Sequence, residues 1–159
     1  MEVAYWRAHN EVWNAKRHIA PYPLVNWLTC RLVRYHRQEQ LLTEGDWAIL
    51  KEWLARAEVE AKNQEQQAPT FLAAVNQAEV LLVHYLMPST KPRLETIIEY
   101  YEKALERGAP PRRIRFVSEH LDFLTLVLKQ AVFVETERQA LQGLKEQLKQ
   151  RWQLLPVSD

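Results

Sequence analysis

The chain reads as an all-α protein of about seven helices, arranged as stacked antiparallel helix hairpins, an α-solenoid. Three observations carry this reading. Apolar residues recur three and four apart along most of the chain, and no convincing strand pattern interrupts them. Pro23, Pro69 and Pro110 each precede a long apolar helix, a break and a second, more charged helix, so a unit recurs roughly every forty residues. The stretch Leu41 to Ala57, LLTEGDWAILKEWLARA, joins two helical patterns through a turn short enough to lay them back to back. An up-and-down bundle satisfies the same periodicity. The regular proline punctuation favours the solenoid.

The first helix is expected over Val3 to Arg17. Tyr5, Ala8, Val12, Ala15 and Ile19 mark its core side, with Trp6 and Trp13 beside them. Pro21 and Pro23 stop it, and Pro23 opens the second helix, because proline suits a first turn. Leu24, Leu28, Leu32, Tyr35 and Leu42 form that helix's stripe, which runs to about Thr43. Gly45 is expected to close it in a left-handed conformation, and Asp46 to cap the third helix. Trp47, Leu50, Leu54 and Ala57 share the core face of this third helix, which reaches about Lys62. Residues 63–68, NQEQQA, have no apolar period and read as a loop or frayed end.

Pro69 and Thr70 open the fourth helix, FLAAVNQAEVLLVHYL, which is apolar almost all round. PSTKP at 88–92 breaks the chain. A fifth helix follows with Leu94, Ile97, Ile98, Tyr101, Ala104 and Leu105, capped by Gly108. Pro110 and Pro111 break it again. Val117, Leu121, Leu124 and Leu128 mark the sixth helix, Ala131 to Val134 a turn, and Leu141, Leu144, Leu148 and Trp152 the seventh. The layout is one helical domain over 1–159: an N-terminal helix at 1–19, helix pairs at 23–62, 69–108 and 110–153, and a tail at 156–159.

Composition narrows the function classes. A net charge of +1 supplies no global field for nucleic acid or an anionic membrane. Cys30 is the only cysteine, so an intramolecular disulfide is excluded, and a reducing, cytoplasmic setting is expected. The start of the chain shows no secretory-signal pattern, and the most apolar stretch, Phe71 to Met87, is interrupted by Asn76, Gln77, Glu79 and His84. It reads as a buried helix, with no membrane span.

Leu54 and Ala57, Tyr101 and Ala104–Leu105, with the prolines that follow, resemble fragments of tetratricopeptide (TPR) second helices. The segment from Cys30 to about Gln150 resembles the sensor region of MalT-type transcription activators of the LuxR class. RLVRYHRQEQLLTEGDWAILKEWLARAE, FLAAVNQAEVLLVHYL, LETIIEYYEKALERG and RRIRFVSEHLDFLTLVL carry that rhythm. No phosphate-binding G-x-x-x-x-G-K-[ST] loop occurs, and no DNA-binding helix-turn-helix unit is found. The resemblance implies recognition of a protein partner or a small inducer on the inner surface of the solenoid, in a bacterial regulatory system, without catalysis.

Candidate binding residues follow from that layout. The first helices of successive pairs line the concave side of a solenoid. This nominates Trp27, Arg31 and Arg34 on the second helix, Asn76 and Glu79 on the fourth, and His120 on the sixth. A carboxylate on so apolar a helix needs a partner, and Arg31 is the expected one for Glu79. Trp6 and Trp13 are nominated as exposed anchors for a partner or a second copy, since aromatics dominate interface hot spots. Arg31, Arg34 and Arg37, with Arg107, Arg112, Arg113 and Arg115, form two basic clusters that could follow a phosphate backbone. This is the alternative reading, a nucleic-acid-binding module. No histidine pair has metal-ligand spacing, so no metal or other cofactor is expected. No base is nominated for Cys30, so no catalytic residue is expected either.

Overall fold

The computed structural model describes residues 2–16, 21–88, 92–127 and 134–153, with no strand among them. Seven helices span the described residues: α1 (Glu2–Lys16), α2 (Pro21–His36), α3 (Glu44–Gln67), α4 (Phe71–Leu86), α5 (Leu94–Arg107), α6 (Pro111–Val127) and α7 (Glu135–Gln153). Ile19, Leu128 and the residues 131–133 of the expected turn lie outside the described residues, as do the side chains of Trp13, Ala15 and Trp152.

The second helix starts two residues before Pro23 and ends well before Thr43. Its end is a Schellman motif. Glu39 N–H donates to the Arg34 carbonyl and Gln38 N–H to that of Tyr35, each at 2.9 Å. The left-handed residue is Gln38, at φ +59°, and not Gly45. Leu42 therefore packs on the core from a loop. Thr43, not Asp46, is the N-cap of α3. Its hydroxyl accepts the Asp46 N–H at 3.2 Å, while the Asp46 carboxylate accepts the Thr43 N–H at 2.9 Å, a closed capping box. Gly45 lies inside the first turn.

Residues 63–67 are helical, against the loop expectation. Two tertiary contacts hold this polar extension. Gln64 Oε1 accepts from Asn76 Nδ2 at 2.8 Å, and Glu65 meets the Arg107 guanidinium, with one N–H···O contact of 2.7 Å. Thr70 caps α4, accepting the Ala73 N–H at 3.2 Å. Gly108 ends α5 at φ +72°, where a side chain would be strained.

Helix α4 is buried throughout except at Leu72, Leu81 and His84. It packs against α2, α3 and α5. Three hairpins can be traced from side-chain contacts. In α2/α3, Arg31 pairs with Asp46 at 3.0 Å and Tyr35 meets Trp47 edge-on at 5.0 Å. In α4/α5, the Tyr101 hydroxyl donates to Glu79 at 2.8 Å, and near the opposite ends Arg107 donates to the Thr70 carbonyl at 3.0 Å. In α6/α7, Lys145 reaches Asp122 at 2.6 Å. Helices α2 and α4 lie side by side with their C-terminal ends joined, His36 Nε2 bonding the Leu86 carbonyl at 2.6 Å.

Helix α1 docks on the first hairpin through aromatic rings. Trp6 stacks at a tilt on Trp27 with centroids 4.6 Å apart and meets Trp53 edge-on at 5.6 Å. Trp6, nominated as an exposed anchor, is partly buried, with part of its ring packed on the chain's own core. His9 lies beside it, 4.9 Å from the Trp53 ring, wholly buried, with neither ring nitrogen hydrogen-bonded. Burial lowers its pKa from 6.5.

Two outcomes follow. Thr43→Ala opens the capping box and is expected to lower the free energy of urea unfolding by about 1 kcal/mol. His9 stays neutral in the folded chain below the pH at which the unfolded chain protonates it. The His9 contribution to stability therefore falls as pH drops below 6.5, towards the lower folded pKa. Urea titrations at pH 7.5 and 5.5 are expected to show His9→Leu gaining stability relative to the parent chain on going to the lower pH.

Candidate functional site

The polar residues of α4 decide where chemistry can sit, because an unpaired polar group inside an apolar core costs about 1–3 kcal/mol. Asn76 is satisfied by Gln64 and so ties α4 to α3. His84 Nε2 lies 3.2 Å from Glu58, again a bridge to α3. Glu79 is different. It is buried, and the Arg31 expected beside it goes instead to Asp46, while its own cation stands over the Trp27 ring at 5.6 Å. Arg31 is drawn away because the α2/α3 hairpin sets its partner at the start of α3.

Two residues from later in the chain take the place of Arg31. The Tyr101 hydroxyl of α5 donates to Glu79 Oε1, and His120 Nδ1 of α6 approaches the same oxygen at 3.0 Å. Glu79 Oε2 is equally close to Nδ1, at 3.0 Å. One carboxylate thus holds three helices together. Burial opposes a charge on His120, but the adjacent Glu79 carboxylate and its hydrogen bond outweigh it, so the imidazole pKa is raised above 6.5. Burial, then the same carboxylate, pushes the Tyr101 phenol far above its ordinary value, so it remains a neutral donor.

His120 also forms a wall of a cavity of about 290 Å³, bounded by Tyr5 of α1, by Asn26, Thr29 and Cys30 of α2, and by Phe116, Glu119 and Phe123 of α6. That is near the lower end of the range for small-molecule sites, roughly 300–1,000 Å³. Its polar groups are few. Thr29 is 2% exposed and its hydroxyl has no hydrogen-bond partner. His120 has its Nδ1 engaged by Glu79, and among the described residues no protein group bonds its Nε2. Phe116 and Phe123 are 47% and 38% exposed, a large apolar lip. A larger groove of about 620 Å³ between α6 and α7 is lined by Asp122, Arg138, Gln142, Lys145 and other polar side chains. It contains no buried unpartnered group among those assigned.

Of the nominated residues, the structure brings together Glu79 and His120. Trp27 and Arg31 belong to the α1/α2/α3 aromatic cluster, Arg34 is exposed on α2, and Asn76 is a structural tie to α3. With His120, the residues Tyr5, Asn26, Thr29, Cys30, Phe116, Glu119 and Phe123 line the cavity. Phe116, His120 and Phe123 are four and three apart, so they share one face of α6, a spacing legible in the sequence. Thr29 gives no such signal, since a buried threonine usually bonds the carbonyl one turn back. Among the described residues no group of three or more His, Cys, Asp or Glu is placed to hold a metal ion, and no helix is long and apolar enough to cross a membrane. Comparison with protein-family models, with curated proteins and with solved structures finds no match.

Glu79→Gln keeps an acceptor for Tyr101 and removes the charge beside His120. The His120 pKa, followed by NMR titration of its ring protons, is expected to drop below 6.5, because burial is then opposed by no charge. In the parent chain the His120 contribution to stability is fully present below 6.5 and is lost as pH rises through the raised folded pKa. That component is absent in the variant.

Proposed function

We propose that this chain is a non-catalytic binding domain, built of TPR-like stacked hairpins, that takes a small inducer in the cavity between α1, α2 and α6 and presents the result to a protein partner in a bacterial regulatory system. The observation that carries the reading is the cavity itself. Aromatic rings line it beside a few polar residues, Asn26, Thr29, Glu119 and His120. Such a site is concave, mostly apolar and sparingly polar, as small-molecule sites are.

The stacked arrangement is supported by the side-by-side packing of α2 and α4 and by the contact of α3 with α4. Its walls come from helices far apart in sequence. An occupant therefore adds contacts between α1, α2 and α6 together, and a ligand that binds one arrangement of these helices better than another shifts the chain towards it.

The nucleic-acid alternative draws less support. Arg31, Arg107 and Arg115 sit in ion pairs with Asp46, Glu65 and Glu119, so phosphates would compete with bonds already made. The test is a thermal-shift screen of small aromatic and aliphatic compounds on the full chain, with NMR mapping of the hits. Compounds that raise Tm and move amides of residues 5, 26–30 and 116–123 are expected, and Cys30→Phe, which fills the cavity, should abolish both effects. Hits that survive in Cys30→Phe, or no hits at all, remove the reading.

A further inference from the structure

We infer that α1 is an acid-released latch: a proton taken up by His9 undocks the helix from α2 and α3, uncovers Trp27 and Trp53 and withdraws Tyr5 from the cavity wall, while α2 to α7 stay folded. The inference concerns how α1 is held, and it stands whether or not the cavity takes a ligand. Among the described side chains of α1, His9 is the one that is buried. Tyr5 and Trp6 pack against the core but are only partly covered. A titratable ring thus sits at the centre of the docked face, where α2 to α7 mostly bury aliphatic side chains.

Both ring nitrogens of His9 are buried without a hydrogen-bond partner, which is rare for polar groups inside a fold. A neutral imidazole packs among rings. An imidazolium brings a charge and two N–H donors, and this site has no acceptor for them. Its neighbours are the rings of Trp6, at 5.6 Å, and Trp53, at 4.9 Å. An aromatic face can hold a cation, but Arg56 already stands over Trp53 at 4.9 Å, and Arg31 over Trp27 at 5.6 Å. The carboxylates on those helices, Glu52 and Asp46, are bonded to the same two guanidinium groups. On α1 itself, Arg7 and Glu11 are exposed. The ring can gain a hydrogen-bonded proton only by leaving, and burial lowers its pKa in keeping with that.

The other histidines make the release local. Four lie in the described residues. His36 meets the Leu86 carbonyl at 2.6 Å, His84 the Glu58 carboxylate at 3.2 Å and His120 the Glu79 carboxylate at 3.0 Å. Each of these contacts joins two helices, and a proton on any of the three rings has an oxygen to donate to. Acid therefore leaves α2, α3, α4 and α6 joined and works against the docking of α1. Undocked, His9 takes its proton near the ordinary 6.5, so the latch weakens as pH falls below that value.

Hydrogen exchange of the full chain at pH 7.5 and 5.0, corrected for the pH dependence of free-amide exchange, tests this. In the parent chain, peptides from residues 2–16 are expected to exchange at least threefold faster at the lower pH, while α4 stays as protected as before. In His9→Leu the increase is expected to vanish; His9→Phe serves if leucine fails to dock the helix. Should neither variant dock it, NMR titration of His9 in the parent chain decides, since its midpoint must coincide with the rise in α1 exchange. An unprotected α1 at pH 7.5, an unchanged α1 at pH 5.0, the same increase in a docked variant, loss of α4 protection together with α1, or titration of His9 without opening of α1 overturns the inference.

Discussion

A charge buried in the most apolar helix of a chain has to be answered by the rest of the fold. Glu79 imposes that constraint here. It sits in α4, where most residues are aliphatic, and is almost wholly withdrawn from solvent. Removing one partner from a buried ion pair typically costs about 3–5 kcal/mol, because the other charge is left without compensation. The positions of α5 and α6 therefore depend on Glu79. Tyr101 must face inward from one, and His120 from the other. Hydrophobic burial brings these helices together without direction; the carboxylate specifies their register.

The same arrangement explains why the cavity lies where it does. With one face turned to Glu79, α6 turns the adjoining edge, Phe116, His120 and Phe123, towards α2 and α1. Tyr22 of α2 meets Phe116 with ring centroids 5.5 Å apart, and Tyr5 of α1 meets Tyr22 at 6.4 Å, so the wall continues across three helices by ring contacts. Helix α1 is held in place independently, by Trp6 and His9 against Trp27 and Trp53. The site thus stands on helices fixed by contacts outside it, which is what a preorganised pocket requires.

Much of the architecture was legible in the sequence, and the reasons for the misses are physical. Seven amphipathic or apolar segments, the proline breaks and the Gly108 cap could be read because each is a local preference. The errors arose where tertiary contacts override local ones. Gln64 and Glu65 are held helical by Asn76 and Arg107, which no local pattern reveals. Gly45 looked like the helix stop, but a capping box between Thr43 and Asp46 needs those two residues, not the glycine. For the site, the need of Glu79 for a partner was visible from α4 alone. That the partner would be His120, 41 residues on, was not, since Arg31 lay on a nearer helix and its own partner was hidden in the turn. The packing of Trp6 on Trp27 and Trp53 was not legible either, because a tryptophan on a terminal helix looks the same whether it anchors another protein or its own core.

The end of α2 has a consequence for how this protein tolerates change. Gln38 adopts a left-handed backbone despite carrying a Cβ, a geometry that costs roughly 1–2 kcal/mol outside glycine. It is exposed, and it lies in the turn that leads to α3, away from the cavity walls. The chain therefore holds a reserve of stability at a position away from the cavity between α1, α2 and α6. Glycine or asparagine there would relieve that strain and offset a destabilising substitution elsewhere in the fold.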